Sequence, residues 1–185
     1  NIFFDISNTN FTISPGLPAT PTNVLATPGS ICDGQTTQLT ATVGVGETLR
    51  WYTGSCGGTL VGSGSPLVVS PSSNTTYFAR AQRNSDSAFS TNCGSVAVVV
   101  NPLAVAPTSA SSDRTDFCAS DTGDINLTAV GGSGDTLRWY SGSCGGTFVG
   151  TGSSLVIPSP TSTTTYFARW ENGCGNSTCE SVVVT

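Results

Sequence analysis

Apolar and polar residues alternate with a period of two along most of this chain. The stretches TTQLTAT (36–42), TLRWYTG (48–54), TTYFARA (75–81), SVAVVV (95–100) and INLTAV (125–130) all show it. Clusters of Gly, Pro, Ser and Asn separate them. Short alternating runs at even spacing predict β-strands of a sandwich or barrel. No stretch has the 3.6-residue period of an amphipathic helix.

The strand pattern is written twice. LRWYTGSCGGT at 49–59 returns as LRWYSGSCGGT at 137–147. The match extends on both sides, from ICDG and FCAS at the start to CGSVAVVV and CESVVVT at the end. Copies of about 80 residues are domains, not solenoid units. The expected organisation is an N-terminal strand and Pro-rich linker (1–21), a first domain (22–102) and a second (103–185). NPLAVAP (101–107), with two prolines, forms a short and fairly stiff joint.

The landmarks fit two tandem immunoglobulin-like β-sandwiches. Trp51 and Trp139 fall on the third main strand, where that fold buries a tryptophan. Tyr77 and Tyr166 open a late strand. Two residues on, Ala79 and Ala168 stand where the fold's inter-sheet cysteine is usual.

The seven cysteines therefore serve elsewhere, and their number points to an oxidising compartment. Four in the second copy allow three pairings. Immunoglobulin strand order puts Cys118 and Cys144 in loops at one end, and Cys174 and Cys179 around the last hairpin at the other. The expected bridges are Cys118–Cys144, Cys174–Cys179 and, in the first copy, Cys32–Cys56, with Cys93 unpaired. GSCGG then becomes a disulfide-anchored turn whose glycines permit positive φ.

Composition narrows the chemistry. The chain has 185 residues and no His, Lys or Met; its six basic residues are all Arg, against eleven acidic ones, for a net charge of −5. The commonest general base and metal ligand is missing, as is Schiff-base chemistry. No catalytic residues are expected. Six scattered arginines give no nucleic-acid footprint, and no apolar run reaches the length of a membrane span. Asp113, Asp116, Asp121 and Asp124 are candidate calcium ligands; the competing reading is turn and cap chemistry. No other cofactor is indicated. Trp170, which faces Ala81 in the repeat alignment, is a candidate partner contact.

WYTGSCGGTLVGSGSPLVVSPSSNTTYFAR (51–80), with the ICDG start and the NGCGNSTCESV end, resembles the Ig-like repeats of large secreted and cell-surface proteins of Bacteroidetes. The resemblance covers roughly 24–185. It implies export, tandem repetition and a place in an adhesin or beside a secreted enzyme. Partners would be neighbouring domains, other copies of the chain, or surface glycans and proteins. It also suggests O-glycosylation at Ser87 (DSA) and Thr136 (DTL). The N-terminal NIFFDISNTNFTI alternates Ile2, Phe4 and Ile6, then Phe11 and Ile13. It reads as a strand that closes a preceding domain or is donated to another subunit, as in a filament.

Overall fold

A computed structural model describes residues 16–116 and 123–185. Asn1–Ile13, Cys118 and Asp121 lie outside the described residues. The chain forms two compact units, Asn1–Val99 and Val100–Thr185. All regular structure among the described residues is β.

In the first unit, β1 (Thr22–Thr27), β3 (Thr37–Thr42) and β6 (Leu67–Val69) make a three-stranded sheet in the order β1-β3-β6. The facing sheet has the order β2-β8-β7-β4-β5, from β2 (Ser30–Cys32), β8 (Gly94–Asn101), β7 (Thr75–Arg83), β4 (Glu47–Thr53) and β5 (Thr59–Ser63). The period-two pattern decides which face is which. Leu49 and Trp51 of β4, with Tyr77, Ala79 and Ala81 of β7, point into the core. Arg50, Tyr52, Phe78, Arg80 and Gln82 take the alternate positions and so point away from it.

The second unit repeats the design. Its smaller sheet joins β9 (Ser109–Ser112), β10 (Asp124–Val130) and β13 (Ser154–Pro158) in the order β13-β10-β9. Its larger sheet is built from β12 (Thr147–Thr151), β11 (Thr136–Ser141), β14 (Thr164–Asn172), the short β15 (Gly175–Asn176) and β16 (Glu180–Val184). Both β15 and β16 pair with β14. Ile125, Leu127, Leu137, Trp139, Tyr166, Ala168 and Val184 form the core.

Trp51 and Trp139 are completely buried, and each lies opposite an alanine in the ladder, Trp51 against Ala79 and Trp139 against Ala168. The small partner leaves room for the indole. The indole N–H is satisfied by a turn carbonyl, Gly64 at 2.9 Å in one unit and Gly152 at 3.0 Å in the other. Burial also pushes the Tyr77 and Tyr166 hydroxyls above the usual tyrosine range.

The bridges differ from those expected. Cys56 is bonded to Cys93 and Cys144 to Cys179. Cys32–Cys56, Cys118–Cys144 and Cys174–Cys179 are thereby corrected, and Cys93 is not unpaired. Cys32 and Cys174 are each disulfide-bonded as well. The reason is the path of the GSCGG turn. It does not stay at the end of the sandwich but folds back over the outer face of the larger sheet. There it meets the residue just before the last strand, since Gly94 pairs with Ala79 and Glu180 with Ala168. Cys93 is thus the counterpart of Cys179, and the longer hairpin of the first unit only changes the route to it.

Candidate functional site

The outer face of the larger sheet carries most of the chain's cations. Arg50 lies directly opposite Arg80 in the first unit, and Arg138 directly opposite Arg169 in the second. Directly opposed residues of an antiparallel pair have Cβ atoms about 5 Å apart, and like charges there destabilise the sheet. The repeat keeps this unfavourable pair in both copies.

The GSCGG turn covers one member of each pair. A Cβ at Gly57 would come 3.1 Å from Nη1 of Arg80, and one at Gly145 would come 2.6 Å from Nη1 of Arg169. Both glycines also have positive φ, 81° and 78°. The positive φ calls for glycine at this point, and the guanidinium approaches closely beneath it.

The units treat the arginine pair differently. In the second, Glu171 extends between the two. Its Oε1 accepts from Nε of Arg169 at 2.7 Å, and its Oε2 lies 3.3 Å from Nε of Arg138. The Tyr140 hydroxyl donates to Oε1 as well, at 2.5 Å. Arg169 stacks on the Tyr140 ring at 4.8 Å, and Arg138 lies 5.7 Å from the ring of Phe148, which is 54% exposed. Burial opposes the charge on Glu171, but Tyr140, Arg169 and Arg138 outweigh it and hold its carboxyl below the usual range. Burial likewise opposes the charge on Arg169, and Glu171 and Tyr140 outweigh it and raise its pKa.

In the first unit Gln82 replaces Glu171. Its Oε1 accepts from Nε of Arg50 at 2.8 Å. Arg80 turns to the long hairpin instead, donating from Nε to the Ser90 carbonyl at 2.8 Å and lying 4.8 Å over the Phe89 ring. Ser90 is fully buried and bonds the β7 backbone at Ala81 in both directions. Among the described residues, Arg50 and Arg80 have no carboxylate partner. Sequence reasoning passed over these arginines as scattered. The signal that finds them is their repeated position, LRW and YFAR in both copies, on adjacent strands.

The other candidates are placed as follows. The Asp113 carboxylate accepts from the backbone N–H of Asn126, on β10, at 2.8 Å. Asp116 and Asp124 are exposed, and the Asp124 carbonyl takes the Arg114 guanidinium at 2.8 Å. No group of three or more metal-ligating side chains comes together among the described residues. Ser87 sits in an exposed turn at φ 60°, beside the Arg83–Asp86 ion pair. A hydrogen bond from the Ala88 N–H, ahead of that arginine, lowers the Asp86 pKa. Thr136 opens β11 and is half-buried. Trp170 packs on the core of its own unit, and its indole N–H reaches the Gly131 carbonyl at 2.9 Å.

Residues 18–102 and 105–185 both match the family model described as "Ig-like domain CHU_C associated". The chain belongs to that family. Two family members in tandem thus account for the repeat, and arrays of this kind are typical of extracellular adhesive or structural segments. Among solved structures, the chain is similar to the fibronectin(III)-like modules of Clostridium thermocellum CbhA, with 16% identity, 90% of each chain covered and a TM-score of 0.42. It is also similar to Rst D1-D2, with 12% identity, 91% of this chain and 95% of that one covered and a TM-score of 0.45. A Dscam structure on isoform specificity gives 20% identity and a TM-score of 0.39; 94% of this chain covers 46% of that one, so this chain spans about half its length. No curated protein matches the chain. No helix among the described residues is long and apolar enough to cross a membrane.

Proposed function

We propose that these two Ig-like domains are a non-enzymatic spacing and adhesive segment of a larger protein at the cell surface or outside the cell. The observation that carries this reading is the construction of one disulfide-pinned sandwich twice in succession. Each bridge locks the outer turn to the last strand of its own domain, across 37 and 35 residues of sequence. Such closures keep a small sandwich folded where thiols are oxidised and proteases are present. The outer sheet faces, not a cleft, are then the surfaces offered to partners. A family whose members are generally non-catalytic modules supports the same reading.

The test is a non-reducing immunoblot of the cells that make the protein, with and without protease added to intact cells. The expected species is much larger than 18.8 kDa and is lost on protease treatment. A species that stays inside the cell and is protected from protease overturns the reading.

A further inference from the structure

The second domain shows how a carboxylate fits the paired arginines. Glu171 spans Arg138 and Arg169, with Tyr140 adding a third donor. The first domain keeps the same cross-strand pair, Arg50 and Arg80, but puts the neutral Gln82 at the position of Glu171. Each of these arginines spends only its Nε on a protein acceptor, a neutral one. The fork of N–H groups on each guanidinium suits a carboxylate in two-point contact. In a chain of net charge −5, two adjacent cations without a counter-ion among the described residues are a specific feature of this face.

We propose that the outer face of the larger sheet of the first domain binds the carboxylate of an acidic polysaccharide, with Arg50 and Arg80 taking the place around it that Arg138 and Arg169 take around Glu171. The surroundings favour a uronate sugar over a protein partner. The exposed large apolar residues of this sheet's outer side and edge are Leu60, Val61 and Val99, at its margins. That is too little for the apolar centre of a protein interface. Phe78 and Phe89 are half-buried beside the arginines, and Thr48 and Ser95 supply hydroxyls on the same face. Aromatic rings, hydroxyls and a half-buried cation pair at the edge of the turn suit a pyranose ring that bears a carboxylate. This gives a ligand class to the adhesive reading and rests on it.

Titration calorimetry of the full chain with oligogalacturonate, a neutral oligosaccharide of equal length and oligoglutamate tests it. Binding of the uronate alone is expected, weakening as salt is added. Gln82→Glu should abolish it, because the domain then carries its own carboxylate as the second one does. Arg50→Gln should weaken it about tenfold or more through loss of a charge-assisted contact. Glu171→Gln should add a second site. No uronate binding, binding unchanged in Gln82→Glu, or equal binding of oligoglutamate overturns the proposal. Thermal melts confirm that each variant is folded. A failure here with surface exposure intact leaves the segment's location standing and removes only its ligand.

Discussion

The two domains solve one electrostatic problem in two ways. Each places an arginine pair across adjacent strands and folds a glycine turn over one member. The second domain offsets the charge of the pair internally with Glu171, and the cluster becomes part of its own stability. The first uses Gln82, then holds Arg80 with a hairpin carbonyl and the Phe89 ring. A repeated framework can therefore carry a closed face in one copy and a face open to an anion in the other. One side-chain atom, oxygen in Glu171 and nitrogen in Gln82, makes most of the difference.

The framework itself should respond identically in both copies. Trp51→Ala and Trp139→Ala each empty a fully buried indole site opposite an alanine that cannot fill it. Each should cost about 3–5 kcal/mol, with the loss confined to its own domain. Hydrogen exchange followed by mass spectrometry on the full chain separates the two. A loss that spreads equally over both domains would break the equivalence.

The bridges come next. Replacing Cys56 and Cys93 together, or Cys144 and Cys179 together, with alanine opens loops of 37 and 35 residues. Chain entropy puts each at about 3–4 kcal/mol. The two double variants should lower the denaturation midpoints of their own domains by similar amounts. Peptide mapping under non-reducing conditions checks the pairing itself.

Gly57→Ala and Gly145→Ala should split the copies. Both force a side chain into positive φ, which costs about 1–2 kcal/mol. The clash is closer at Gly145, and the arginine beneath it is held by Glu171 and Tyr140, so it yields less easily. Gly145→Ala should be the more destabilising in chemical denaturation. Equal costs would mean that backbone conformation alone demands the glycine.

Much of this was legible in the chain. Period-two alternation located the strands because one face of each sheet is buried and the other is not. TTQLTAT and INLTAV became β3 and β10, and the tryptophans went where the sandwich fold puts them. The disulfides were not legible, because pairing depends on where a loop travels and not on which strands it joins. GSCGG connects two neighbouring strands at one end of the sheet, yet its cysteine reaches back to the start of β8 or β16. The arginine site was missed for a related reason. Arg50 and Arg80, thirty positions apart in sequence, become neighbours only through the β4–β7 ladder. Trp170 read as a candidate partner contact because Ala81 replaces it in the first copy. It instead extends the core of the second domain, on the inward face of β14.

The smallest expected effect is also the sharpest test of the contrast, and it lies in acid. Glu171 has its folded-state pKa held below the usual glutamate value, the desolvation that opposes its charge being outweighed by Tyr140, Arg169 and Arg138. A depressed carboxyl pKa stabilises the folded state above the unfolded value, about 4.3 for glutamate. That contribution falls away as pH drops through the folded-state pKa, where the unfolded chain has already taken up its proton. The second domain should therefore lose stability on acidification through this window, and Glu171→Gln should abolish that part of the slope while lowering stability at neutral pH. The arginine pair of the first domain has Gln82 beside it and contributes no such slope. Gln82→Glu should create one there and raise neutral-pH stability, as the counter-ion removes the like-charge repulsion between Arg50 and Arg80. Hydrogen exchange of the full chain at neutral pH and at successive steps below pH 5, read separately over β7 and β14, checks all of this. An acid slope unchanged by Glu171→Gln would show that the carboxylate between the arginines contributes little to the folded state, and the distinction between a closed and an open face would lose its energetic basis.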